Sequence, residues 1–333
     1  MILRGVIFLT AVCAGAITSA QTALPLVVSH AYPLTSPLHE MVLPLKCDAD
    51  GNLYGRFGVN TSRLVKIAAD GHAVTTYDYA NVPKVSSKQL LAGFSVSRDG
   101  QVYGISQVSS DSYVIIEFSD DQTVKRTIEL AVKTTSTLSQ FVALPNGNFY
   151  VSGTLHQDRQ TSSPFAGIYD AAGKLVRNIS LRDPPHPKEK SRSRSASKST
   201  NTKGGKTAWG QATVGDDDNL YVMQPMSSSV VVYVVAPDGR EVRTVTVPKP
   251  SDEVSPLYFA VDNGRIAIAF AVSDVVDFAN DKFRLADSRT GKVIVDYQLG
   301  PETGDAVACY TNGRVSFLSL IPDEQRIIQA EVR

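Results

Sequence analysis

What this 333-residue chain has little of narrows its class first. It holds three cysteines, too few for a disulfide framework and too few for a zinc site built from cysteine alone. Lys+Arg and Asp+Glu stand at 33 each, so no net field steers the chain toward nucleic acid or an anionic surface. With 43% hydrophobic and 20% charged residues, wholesale disorder is excluded as well. Beyond the first twenty residues no apolar run is long enough for a membrane helix. There is one tryptophan, Trp209, no Gly-x-Ser-x-Gly nucleophile turn and no EF-hand spacing.

The N-terminus reads as an export signal, residues 1–20. Arg4 supplies the positive charge, Gly5 to Ile17 the short apolar core, and Thr18 and Ala20 the small residues before a cut. The expected product starts near Gln21 and is exported, secreted or periplasmic. Cleavage removes Cys13 and leaves Cys47 and Cys309.

One phrase then recurs: "DADGNLYGRF", "SRDGQVYGIS", "LPNGNFYVSG", "GDDDNLYVMQ", "VDNGRIAIAF" and "YTNGRVSFLS". Its turn position falls at Gly51, Gly100, Gly147, Asp218, Gly264 and Gly313, in steps of 49, 47, 71, 46 and 49 residues. A period in the high forties points to four-stranded propeller blades. Alternating apolar residues before the turn give strand a, and the run after it gives strand b. Runs such as "YVIIEF" and "VVVYVV" give strand c. A second turn, at Gly71, Gln122, Gly173, Gly239 and Gly291, leads into strand d.

The sixth unit reaches Arg333 with no room for strand d. Leu26 to Leu34 at the other end carries the missing pattern, with Val28, Tyr32 and Leu34 spaced like Val124, Ile128 and Leu130. The expectation is one all-β domain over residues 21–333. It is a six-bladed propeller of four-stranded antiparallel blades, closed by an N-terminal strand at about 24–34.

The "D-G-N-L-Y" turn followed by an apolar strand and a second Asp/Gly turn resembles the NHL and TolB-like six-bladed propellers. The likeness covers nearly the whole chain after the leader. It implies a binding scaffold or, alternatively, a lactonase- or esterase-type hydrolase with calcium at the channel mouth. The calcium ligands of such enzymes do not map onto this chain position by position.

The turns a–b and c–d are short and share one face, whereas the b–c and d–a loops vary in length on the other. Function on repeat scaffolds concentrates where loops vary. The candidate ligand-binding residues on that face are Glu40, Arg56, Gln140, His156, Asp158, Trp209, Gln211 and Asp305. His156 and Asp158 suggest a base with an orienting carboxylate, or an ordinary loop pair. A small molecule, glycan or protein would be the partner. No apolar stripe suggests self-association, which points to a monomer. Cys47 and Cys309 share one column of strand a in neighbouring blades, open either to packing or to a disulfide.

The long step contains a basic insertion, residues 183–208, rich in serine and proline, between blades three and four. From Arg182 to Trp209 eight Lys/Arg face Asp183 and Glu189, a net +6 balanced by −6 over the rest of the chain. It is expected to be disordered, and to meet an anionic partner or the propeller itself, with no specific nucleic acid.

Overall fold

The computed structural model describes residues 23–34, 38, 41–57, 63–79, 82, 85, 91–132, 136–156, 162–180, 210–272, 281–303, 306–319 and 324–332. Two short N-terminal strands come first, β1 (Leu24–Pro25) and β2 (Val28–Pro33). Blade one is β3 (Met41–Cys47), β4 (Leu53–Phe57), β5 (Arg63–Ile67) and β6 (Val74–Thr76). Blade two is β7 (Leu91–Val96), β8 (Val102–Ser109), β9 (Ser112–Phe118) and β10 (Val124–Ala131). Blade three is β11 (Ser136–Ala143), β12 (Phe149–His156), β13 (Ser162–Tyr169) and β14 (Leu175–Asn178). Blade four is β15 (Ala212–Val214), β16 (Leu220–Pro225), β17 (Ser229–Val235) and β18 (Glu241–Pro248). Blade five is β19 (Val254–Asp262), β20 (Arg265–Val272), β21 (Lys282–Asp287) and β22 (Val293–Gln298). Blade six takes β23 (Ala306–Thr311), β24 (Arg314–Ser319) and β25 (Arg326–Glu331) from the C-terminal end and β2 from the other.

The expected closure is present. β2 pairs antiparallel with β25, from Val28 opposite Ala330 to Pro33 opposite Arg326. The N-terminal segment does more than the single strand read from the sequence. Leu24 and Pro25 step across to blade five and lie parallel to β22, opposite Tyr297 and Gln298. Leu26, between the two strands, is buried with residues of blades five and six. Sinking that side chain between the blades is what makes the segment change sheets.

Inner strands touch in sequence around the ring, including β23 against β3 at the seam. Six apolar clusters fill the six gaps between blades. Between blades one and two, for example, Tyr54, Leu64 and Tyr77 meet Phe94, Ile116 and Phe118. Central strands bury both faces, so β17 reads "SVVVYVV" with every residue after Ser229 buried. Apolar burial between blades, not any one blade, therefore holds the ring.

The repeated phrase has a local cause. In blade one, Asp48 accepts the backbone N–H groups of Asp50 and Asn52 at 3.1 and 2.9 Å and the Tyr54 hydroxyl at 2.8 Å. In blade four the matching tyrosine, Tyr221, bonds at 2.9 Å to Asp217, two positions later in the turn than Asp48. The carboxylate folds the turn and clamps it to strand b. The turns of blades one to four place one residue in the left-handed region: Gly51, Gly100, Gly147 and Asp218, the last at φ 61°. Blades five and six instead use two-residue Asn-Gly turns, with Asn263 at 51° and Asn312 at 52°.

A disulfide joins Cys47 to Cys309, with Cα atoms 5.4 Å apart. Of the two readings left open by the sequence, packing or a disulfide, the structure has the disulfide. At the inner strands the blades converge close enough for the two side chains to meet. The bond links blade one to blade six across a sequence separation of 262 residues.

Reducing this disulfide, or replacing both cysteines by alanine, should cost about 3–5 kcal/mol through the freed unfolded chain. Urea unfolding with and without reductant measures it. Asp218→Gly should raise stability by about 0.5–1 kcal/mol, because glycine meets no steric penalty at positive φ. A higher urea midpoint at unchanged slope is the expected result.

Candidate functional site

The inner strands enclose a cavity of about 570 Å³ lined by all six blades. It follows the channel axis and extends to the face of the a–b turns. Five of the six inner strands carry a bulge in the described register, between Leu138 and Gln140 in β11 and between Pro256 and Tyr258 in β19 among them. Bulges at the rim of a closed sheet re-aim side chains, and here they do so along the channel wall.

A circuit of bonds crosses the turn end of the channel. Arg98 of blade two donates to Asp262 of blade five, the opposite blade, at 2.5 Å. Asp262 also accepts the Asn312 backbone N–H at 2.7 Å, from blade six. The Asn312 side chain donates to the Ala49 carbonyl of blade one at 3.1 Å, and Ala49 N–H donates to the Arg98 carbonyl at 2.9 Å. Four blades are thereby linked in a closed loop. Asp262 is 2% exposed, so its charge depends on these donors.

Lys46 stands on the channel wall, half-buried on β3. Its Nζ lies 5.5 Å above the Phe94 ring of blade two and 3.4 Å from the Phe141 carbonyl of blade three. Burial, and then the neighbouring Arg56 charge, lower its pKa from 10.5 to about 8. Arg56 projects from the same face of blade one: Lys46 sits opposite Tyr54, and Arg56 is two residues further along β4. Its Nη1 donates to the Leu91 carbonyl at 2.6 Å, while its Nε is buried with no hydrogen-bond partner. Burial lowers its pKa too.

Of the residues expected from the sequence, Gln140 and Gln211 line the cavity. Gln211 donates to the Leu257 carbonyl of blade five at 2.8 Å. Arg56 lies behind the wall. His156 is half-buried at the end of β12, off the cavity, 3.0 Å from the Thr137 hydroxyl. Glu40, Asp158, Trp209 and Asp305 lie outside the described residues, as does the basic insertion. Lys46, Arg98 and Asp262 escaped the sequence reading. Lys46 and Asp262 sit in strands read as packing, and Arg98 sits in a turn on the face taken as plain. No sequence signal showed that a turn would reach across the channel.

Among the described residues no group of three or more His, Cys, Asp and Glu is placed to hold a metal ion. Of the acidic candidates named from the sequence, Glu40, Asp158 and Asp305 lie outside the described residues, so this does not test the calcium expectation. No helix among the described residues is long and apolar enough to cross a membrane.

The ring and its enclosed cavity define the class of protein: a six-bladed β-propeller with a central chamber. Comparison with known proteins agrees on the fold and goes no further. No family model matches the chain, and no curated protein matches it. A luciferin-regenerating enzyme aligns over 91% of this chain and 95% of its own, at 10% identity and a TM-score of 0.51. A protein of unknown function from Bacteroides caccae covers 85% of this chain and 83% of its own, at 14% identity and a TM-score of 0.42. A puromycin hydrolase covers 85% of this chain and 46% of its own, at 12% identity and a TM-score of 0.48. At such identities the likeness is one of fold, and the NHL or TolB-like resemblance gains no family-level support.

Arg98→Ala should cost about 1–3 kcal/mol, less than a fully buried pair because the Arg98 side chain is 40% exposed. A double-mutant cycle with Asp262→Asn should return a coupling of similar size. A coupling near zero would mean that the cross-channel pair does not hold the turn end closed.

Proposed function

We propose that this propeller is a non-catalytic binding protein that takes a small molecule into its central channel. The observation that carries the reading is the cavity itself. At about 570 Å³ it lies within the range that small-molecule sites occupy. Its wall mixes apolar strand residues with a few convergent polar side chains, Lys46, Gln140 and Gln211. Such a wall orients a ligand without attacking it. Among the described cavity residues the Ser97 hydroxyl bonds the Asp99 carboxylate within its own turn, and no histidine lines the wall to complete a nucleophile of the triad kind.

On this reading the Arg98–Asp262 pair obstructs the turn end, and the ligand enters from the loop-bearing face. This is also the face whose loop lengths vary between blades, so loops set access while inner strands set the fit. Export, read from the N-terminal residues, places the ligand outside the cytoplasm on this reading. A monomer suffices, because one ring encloses the whole chamber.

Thr213 lines the cavity and is half-buried. Thr213→Trp should fill the channel and abolish the thermal shifts that a metabolite library gives with the unsubstituted protein. Its own melting temperature should stay within a few degrees. Turnover of ester or lactone substrates, blocked by the same substitution, would replace binding with hydrolysis as the function. Ligand shifts unaffected by Thr213→Trp would move the site out of the channel.

A further inference from the structure

Two cations, Lys46 and Arg56, share the blade-two-facing side of blade one. Among the described residues no carboxylate forms an ion pair with Lys46 or Arg56. The acids nearest along the channel are committed elsewhere. Asp48 accepts four hydrogen bonds from its own turn and Tyr54. Asp262 is held by Arg98 and Asn312. Glu117 of blade two is paired with Lys125 and Arg126 at 2.8 and 2.5 Å. Asp99 bonds to the Ser97 hydroxyl in its own turn, and Asp218 is exposed.

What does meet Lys46 is a ring face and one carbonyl at 3.4 Å, both weak substitutes for water around an ammonium. Among the described residues Arg56 meets one carbonyl and the neighbouring Tyr79, with Nε left bare. Burying cationic groups with so few partners is costly unless something supplies the missing charge. Stability selection alone would favour an apolar residue at position 46, where the inner-strand neighbours are apolar. A wall that keeps an undercompensated ammonium facing an open chamber is built for an anion.

We propose that the channel is an oxyanion site: the carboxylate or phosphate end of a small molecule sits against Lys46 Nζ, and Arg56 supplies the second positive charge behind it. The assignment rests on the channel being the binding site. Gln140 and Gln211, further along the same wall, are placed to bond the uncharged remainder. Binding is strongest while Lys46 is protonated and weakens as pH rises through its pKa near 8. A bound anion in turn raises that pKa, since it favours the charged form.

The probes are inorganic phosphate and succinate, each at 10 mM against sodium chloride of equal ionic strength. At pH 7 at least one should raise the melting temperature of the purified protein by several degrees. It should also raise the Lys46 titration midpoint, followed by NMR of reductively 13C-methylated protein, by half a unit or more. Lys46→Met should melt no lower than the unsubstituted protein without anion, and should lose the anion shift. An unmoved Lys46 midpoint with both probes, together with no thermal shift, overturns the proposal. So does a Lys46→Met protein that melts well below the original, because Lys46 would then be a structural partner. If library ligands still shift Lys46→Met but not Thr213→Trp, the channel stays the binding site and the anion assignment falls.

Discussion

Everything in this molecule depends on closing the ring. Blade six draws three strands from one end of the chain and its outer strand from the other. Without β2, β25 would show an unpaired edge, and the apolar surfaces of blades six and one would have no fixed neighbour. The seam is accordingly held in several independent ways. Backbone pairing joins β2 to β25, an apolar cluster joins blades six and one, and the Cys47–Cys309 bond ties their inner strands. The hydrogen-bond circuit from Asp262 through Asn312 and Ala49 to Arg98 crosses the same seam. A closure that spans nearly the full sequence is costly in chain entropy, and concentrating bonds there offsets that cost.

Closure also creates the chamber. Six twisted sheets packed face to face cannot bring their inner strands to a common axis, so a channel remains along it. Its two ends differ because the connections differ. The a–b turns are short enough for side chains of opposite blades to meet, as Arg98 and Asp262 do. The other end carries the longer connections. The Arg98–Asp262 bridge across the turn end thus comes from turn length rather than from a dedicated lid.

Charge follows the same geometry. A chain with no net charge still confines Lys46 and Arg56 in a partly dry wall, where burial lowers the pKa of both. The acids that would balance them in a random packing are engaged in turns and cross-blade pairs. Buried charges left short of partners on a cavity wall are where function is to be sought. That argument, rather than likeness to any characterised protein, directs attention to the channel.

The sequence by itself determined the local units and their number. The recurring turn-and-strand phrase encodes a tight turn within a few residues, so its six variants announce six blades. The alternation around Val28, Tyr32 and Leu34 marked the closing strand for the same reason: strand period and turn chemistry are local. Even Asp218 and Gln122 in glycine positions fell where the spacing put them, at φ 61° and 63°. The site was less legible. Gln140 and Gln211, read as residues of the variable-loop face, line the cavity, whereas Lys46 looked like a lysine in an ordinary strand and Arg98 like a solvated turn residue. Whether cysteines 262 residues apart meet, whether a turn reaches the opposite blade, and which charges lose their partners are decided only when the ring closes. These are distances between blades, and a strand pattern carries no information about what stands across an axis from it.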